Sequence, residues 1–422
     1  FAEHFQGELG KQVTETEEEI LQKINDSGFD ELDITSHIST IFIQIFSDQV
    51  IRNLENSFKN SFSAIDQLSN KYSKKNFEIT IQFGELTMVI EGKEDALCLR
   101  NLEFDFQIKV KTANTNRKRV RNGSKYVLYF NKKENHLDIV TDCVQEIYFE
   151  FRNEISELIN NVYFLPASRS GLYQALNAFS AVMAELSKSR NFLKSKIEIP
   201  NISEPVSDYF LNLSDIGKKS KGKYNEIVET IENDILRGRI IFNEENKKIV
   251  FKQNMINEEF ELAFTSSMVS EIAPIVAYLK YIINDETGDR IQFFRSIGKP
   301  RKKGVGVLFI EEPEAHLHPD VQVKLIDIFT KLVGKNLKII MTSHSNYIFN
   351  KLSNIILDKK LDHNTVCSYL MQSTDQGSTS DLISMKAEED GMNDNNFANT
   401  AEMLYEERIR IYDKLNATKN AH

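Results

Sequence analysis

Apolar residues along this chain recur at two spacings, and the alternation between them predicts its elements. Between Asp33 and Leu68 they fall at helical intervals, at Ile38, Ile41, Phe42, Ile45, Phe46, Val50 and Leu54, which predicts a helical stretch with one core-facing stripe. The acidic segment Glu15–Asn25 is helical in pattern as well. From Phe77 to Ile90 the period drops to two, with Phe77, Ile79, Ile81 and Phe83 alternating and a turn near Gly84-Glu85. Leu99–Val110, Lys125–Phe130 and His136–Val140 continue the strand pattern. Gln145–Asn161 and Leu172–Lys196 are predicted helical. Between them the apolar strand Val162–Leu165 opens into Pro166-Ala-Ser-Arg-Ser-Gly171. Ile197–Lys223, with Pro200, Pro205 and several serines, reads as a loop-rich insertion. Tyr224–Leu236 is helical, and Arg239–Phe242 with Ile249–Phe251 forms a hairpin pattern. The strand-like Glu259–Phe264 leads through Thr265-Ser-Ser-Met-Val-Ser-Glu271 into an apolar helix ending near Tyr281.

The last third is the most informative. Val305–Ile310 reads as a buried strand that ends in two adjacent carboxylates, Glu311 and Glu312. A second apolar run, Leu337–Met341, ends in Thr342-Ser-His344. Helices are predicted at Pro319–Gly334 and Asn346–Leu357, a polar flexible stretch at Gln372–Met392, and a closing helix at Asn395–Leu415. Two buried strands ending side by side place two carboxylates and an imidazole at one sheet edge. In open α/β sheets the carboxyl edge is where ligands bind. A carboxylate for Mg²⁺, a second to polarise water and a histidine facing a phosphate make a nucleotide-hydrolysis site.

The string Glu311-Glu-Pro-Glu-Ala-His-Leu-His-Pro319, followed by Ser343-His344, resembles the Walker B, D-loop and H-loop of ABC-type ATPases. More narrowly it is similar to the soluble branch with SMC-like, RecF-like and OLD-family proteins. The resemblance implies that Glu311 holds Mg²⁺, usually through water, that Glu312 is the catalytic carboxylate, and that His344 is the switch histidine. Ala315 to His318, including His316, would be the D-loop touching a partner subunit. Ser266 and Ser267 stand where the family carries its signature motif, a hydroxyl and helix N-terminus directed at phosphate. Met268 stands where glycine is usual, and the plain alternative is a serine N-cap. Many members carry Asp in place of Glu311. Ser168-Arg-Ser170 resembles a loop of the same branch, or is a simple strand-to-helix turn.

The phosphate-loop pattern Gly-x-x-x-x-Gly-Lys-[Ser/Thr] does not occur in this sequence. The resemblance puts that loop ahead of all the elements above, so the expectation is a segment carrying it upstream of Phe1. A degenerate ATPase with half a site is the alternative.

Composition narrows the picture. The 422 residues are 41% hydrophobic and 27% charged, ordinary for a globular chain of one large or two modest domains. No apolar run is long enough for a membrane span. Cys98, Cys143 and Cys367 lie without metal-ligand spacing and read as reduced thiols of a cytoplasmic protein. A net charge of -10 argues against wholesale nucleic-acid coating. One segment runs the other way: Lys109, Lys111, Arg117, Lys118, Arg119 and Arg121, with Lys125, carry no acid among them. Such a stretch tracks a phosphate backbone such as DNA, or is a solvated face. His316 and His318 have zinc-ligand chemistry but no third partner nearby in sequence.

The fold expectation is therefore α/β: an ABC-ATPase head of the P-loop NTPase class, with a mixed sheet, an antiparallel β lobe and a helical lobe. Residues 1–161 would form the N-terminal part with the antiparallel lobe. Residues 162–264 would form the helical lobe and insertion, and 265–422 the remaining motifs with the C-terminal helix. The resemblance implies ATP and Mg²⁺ as ligands and a homodimer or higher oligomer that shares its sites. It extends to the ATPase subunits of bacterial anti-phage systems such as Septu and PARIS. Any nuclease or toxin would then be a separate effector protein, since the tail beyond Ser384 is too short for such a domain. The alternatives are a RecF-like DNA-repair clamp and a non-hydrolysing scaffold.

Overall fold

The computed structural model describes residues 8–27, 31–72, 75–83, 86–104, 107–113, 120–122, 125–131, 140–141, 143–144, 159–188, 202–216, 223–256, 258–283, 305–394 and 396–420. The chain divides into two compact units, Phe1–Leu158 with Pro200–Glu204, and Ile159–Ile199 with Pro205–His422.

The first unit begins with α1 (Glu8–Ser27), β1 (Glu31–Asp33), α2 (Thr35–Phe46) and α3 (Arg52–Phe62), the last two joined by a π-helical turn at Ser47–Ile51. Three- and four-residue spacing carries the stripe of α2 inward: Ile38, Ile41, Phe42, Ile45 and Phe46 are all buried. Val50 and Leu54 pack at its margin. Then come β2 (Glu78–Phe83), β3 (Leu86–Lys93), β4 (Ala96–Phe104), β5 (Gln107–Ala113), β6 (Val120–Asn122) and β7 (Lys125–Asn131). β2-β3-β4 is an antiparallel meander. The other sheet, β1-β5-β7-β6, corrects the expectation of a purely antiparallel lobe, because β5 and β7 pair parallel, Gln107 opposite Lys125. His136–Val140, except Val140, and the part of Gln145–Asn161 before Ile159 lie outside the described residues.

The second unit opens with β8 (Ile159–Leu165), so the end of the predicted helix Gln145–Asn161 is strand. It continues through α4 (Arg169–Lys188), α5 (Glu204–Ser214) and α6 (Asn225–Ile231), then β9 (Gly238–Asn243), β10 (Lys248–Gln253) and β11 (Glu259–Glu261). α5 lies inside the stretch read as a loop-rich insertion. Its Tyr209 and Leu213 are buried, so packing overrides the neighbouring prolines and serines. β9 and β10 form the expected hairpin, Asn243 opposite Lys248.

Next are α7 (Ser267–Ala277), β12 (Val305–Glu311), α8 (Pro319–Leu332), β13 (Leu337–Thr342) and α9 (Asn346–Leu357). β12 lies between β13 and β8, parallel to both. The core of this unit gathers Leu308 and Ile310 of β12, the apolar run of α7 and Leu325, Ile326 and Phe329 of α8. Parallel strands are ordinarily covered on both faces. Among the described residues, one face of this sheet carries exposed apolar side chains: Val162, Phe309 and Ile340 are 58%, 37% and 50% exposed, although Val307 on the same face is buried. Phe309 sits directly opposite Ile340 on one side and Phe164 on the other. The chain ends with β14 (Leu370–Thr374), β15 (Gly377–Asp381), β16 (Ala387–Glu388), β17 (Gly391–Met392) and α10 (Phe397–Asn420). These two small hairpins replace the flexible stretch expected at Gln372–Met392.

Candidate functional site

Parallel pairing of β12 with β13 fixes the site. The last register pair is Glu311 opposite Thr342, so Glu311, Glu312, Ser343 and His344 emerge together at the carboxyl edge. The chain turns sharply there. Glu312 has φ 40°, in the left-handed region that non-glycine residues avoid. The backbone N–H of Glu312 holds the turn by donating to the Thr342 carbonyl at 3.0 Å. The Glu312 carboxylate reaches outward, and its Oε1 lies 3.9 Å from Nε2 of the exposed His344. Glu311 Oε2 accepts a long bond, 3.4 Å, from the N–H of Ala167 after β8.

Glu314 ties the two strand ends to each other. Its Oε1 accepts the His344 N–H at 2.6 Å and the Ser343 hydroxyl at 2.9 Å. Its Oε2 is buried and has no hydrogen-bond partner among the described residues. Ala315, His316 and His318 form the turn into α8. The Ala315 N–H donates to the Glu312 carbonyl at 2.9 Å, and His316 takes a left-handed φ of 59°. His318 is the N-cap, its Nδ1 accepting from the Asp320 N–H, with Pro319 at the first helical position. Ser345 caps α9 and binds the Gln322 side chain of α8.

Beneath this edge lies a charge pair. Arg169, the first residue of α4, is fully buried, and Nη1 donates to the carbonyls of Glu311 at 2.9 Å, Pro166 at 3.2 Å and Glu312 at 3.4 Å. Its Nε donates to the Glu271 carbonyl at 3.2 Å and stands 3.5 Å from Glu271 Oε2. Among the described residues that oxygen has no conventional hydrogen bond, while Oε1 takes one from the Ser170 hydroxyl. Burial pulls the guanidinium below its ordinary pKa, opposed chiefly by the charge of Glu271. Tyr209 closes the cluster by donating to the Arg169 carbonyl at 2.8 Å, and burial pushes its hydroxyl pKa well up. Losing one member of such a buried pair costs about 3–5 kcal/mol.

Ser266 and Ser267 stand at the start of the helix that carries Glu271. Ser266 is the N-cap, its hydroxyl accepting from the Val269 N–H at 3.4 Å. The capping alternative thus describes what Ser266 does in this state, and the remaining N-terminal N–H groups suit an anion. α7 and β12 belong to one compact unit.

The basic stretch belongs to the first unit. Lys109 and Lys111 both bind Glu31 of β1, at 2.5 and 2.7 Å. The acid that the local sequence lacked comes from a neighbouring strand. Arg121 lies on β6, and Arg117, Lys118 and Arg119 fall outside the described residues.

The donor set at the β12 edge fits Mg²⁺. Glu311 and Glu312 offer hard carboxylate oxygens at an open strand end, and Mg²⁺ keeps most of its waters and takes one or two carboxylates. Among the described residues no group of three or more His, Cys, Asp or Glu side chains could hold a metal, so His316 and His318 gain no third zinc ligand there. Sequence reading missed Arg169 and Glu271 as a pair. The available signal was a single carboxylate, Glu271, inside the apolar run Val269–Ala277, where an unpaired charge is untenable.

The chain matches the AAA ATPase domain over residues 19–349, more than three quarters of its length, and it belongs to that family. The AAA ATPase domain implies the α/β fold of P-loop nucleoside triphosphatases, and the mixed helices and parallel strands of the second unit are consistent with it. ATP binding and ATPase activity are the family's general properties, and its members typically use Mg²⁺. No curated protein matches the chain. Among the described residues no helix is long and apolar enough to cross a membrane.

Proposed function

We propose that this protein is an ABC-type ATPase that binds and hydrolyses ATP at an interface between two copies of its head. The observation that carries the reading is the convergence of Glu312 and His344, 3.9 Å apart at the ends of adjacent parallel strands. Glu311 would hold hydrated Mg²⁺, which offsets the charge of the β- and γ-phosphates when bound. Glu312 orients the attacking water and accepts its proton; it is the first residue after β12 and itself takes the left-handed conformation that turns the chain there. His344 donates to the γ-phosphate, with its loop held in place by Glu314.

The other half of each site would come from the second copy. Ser266 and Ser267 present hydroxyls and the N-terminal N–H groups of α7 to the partner's phosphate. Ala315, His316 and His318 line the same junction as a D-loop. The biological role that fits the sequence resemblance is control of a separate effector in bacterial anti-phage defence.

Steady-state hydrolysis by the purified protein tests the chemistry. Mg²⁺-dependent turnover that Glu312→Gln removes is expected. A wild-type protein that binds ATP without turnover would instead be a scaffold. Plating phage on cells expressing the protein with its neighbouring gene tests the role, and protection indifferent to Glu312→Gln would overturn it.

A further inference from the structure

We infer that Arg169 is a positioning residue that couples the α7 half-site to the carboxylate half-site of the same chain. The inference rests on the reading above, in which Ser266 and Ser267 of one copy meet nucleotide bound to the other.

The chain of contacts is short. α7 starts at Ser267, and Glu271 follows one turn later on a helix whose residues Val269–Ala277 are all buried. A helix packed on every side moves as a rod, because a close-packed core does not deform continuously. Glu271 meets Arg169 through both its carbonyl and its carboxylate. The same guanidinium grips the carbonyls of Glu311 and Glu312. One planar, fully buried group therefore touches the helix bearing Ser266 and the peptide units that aim the two carboxylates.

An ordinary buried ion pair would satisfy itself. This one leaves Glu271 Oε2 without a hydrogen bond among the described residues and spends the guanidinium donors on strand-end carbonyls. A fork of fixed geometry suits such use, and lysine, a point charge on a flexible stem, does not reproduce it. The direction of each carboxylate follows from the peptide units that Arg169 holds. A small shift of α7, when its N-terminus engages phosphate, is thereby felt at Glu312. Such a link makes nucleotide engagement at one composite site set the geometry of the other.

The test uses the whole protein and compares kcat, KM for ATP and the Hill coefficient. The double variant Arg169→Met/Glu271→Gln removes both charges at similar volume, the change least damaging to a buried pair. Its expected behaviour is a folded protein with a lowered melting temperature, since the Pro166, Glu311 and Glu312 carbonyls lose their donor, nucleotide binding within about threefold of wild type, and a kcat lower by roughly 10–100-fold, within the range for a misplaced catalytic group. Any cooperativity in ATP is expected to fall to a Hill coefficient of one. Arg169→Lys serves as a second variant should the double variant fail to fold, and it should show the same kcat loss with KM little changed. Wild-type kcat and cooperativity in either folded variant overturn the inference. Glu312→Gln run in parallel separates the two ideas: a fast Glu312→Gln sinks the site itself, whereas a slow Glu312→Gln beside a fast Arg169→Lys sinks only the coupling.

Discussion

The carboxylate of Glu314 accepts the backbone N–H of His344 at 2.6 Å, and through that bond the turn after β12 holds the loop after β13. The two residues lie on different connections, and Ser343 adds a second bond to the same oxygen. Hydrogen bonds to a charged acceptor are worth about 1.5–3 kcal/mol each. Both bonds are solvent-exposed, so their joint loss falls short of the full value: Glu314→Ala should destabilise the protein by about 2–4 kcal/mol in urea denaturation, and should slow hydrolysis by freeing His344. An unchanged midpoint with unchanged turnover would show the bond to be incidental.

Glu312→Gln should bind ATP and hydrolyse it about 10²–10⁴-fold more slowly, the usual cost of losing a positioned acid–base group. Glu311→Gln should differ in kind, weakening binding only when Mg²⁺ is present. Titrating nucleotide with and without Mg²⁺ tells the two apart. Equal effects of both substitutions on Mg²⁺-dependent affinity would remove the division of labour.

Sharing of sites between copies predicts complementation. In a mixed dimer of Ser266→Arg and Glu312→Gln chains, both lesions fall on one composite site and the other remains intact. The intact site in mixed dimers should then turn over, more slowly than a wild-type site to the extent that Arg169 couples it to the Ser266→Arg helix of its own chain. If mixed dimers form and the mixture is no more active than the two mutants alone, the composite site is wrong.

In the first unit, the bonds from Lys109 and Lys111 hold the Glu31 carboxyl down to about 2, against an ordinary value of 4.5. A depressed carboxylate stabilises the fold above its unfolded pKa and loses that contribution as pH falls through its folded one. The stability gap between wild type and Glu31→Gln should hold steady above pH 4.5 and close between there and about pH 2. A gap that stays constant to the acid end would contradict the assignment.

Legibility followed the range over which each feature is determined. The stripe Ile38 to Phe46 and the alternation at Arg239–Phe242 are local, and both folded as their periods require. The meeting of Glu311 with Thr342 was legible because two apolar strands, each with a polar end, align in only one useful way. The parallel partnership of β5 with β7 was not, since nothing in either strand names its neighbour. Gln372–Met392 misled because polarity reports exposure rather than disorder. β14 and β15 are largely exposed yet pair through their backbones, turning at Gly377, whose φ of 105° an L side chain resists. The union of Arg169 with Glu271 spans distant parts of the chain, and only the demand that Glu271 find a counter-charge foreshadowed it.

The left-handed backbone at Glu312 sets two selective pressures against each other. A side chain in that conformation costs about 1–2 kcal/mol, which Glu312→Gly would largely recover after allowance for the freer unfolded chain. A library sorted for thermal tolerance should consequently enrich glycine at this position, and on the catalytic role proposed for Glu312 the survivors would be the inert ones. If Glu312 orients the attacking water as proposed, directed evolution of this protein needs activity in every round, because its most direct path to a sturdier fold runs through the loss of its chemistry.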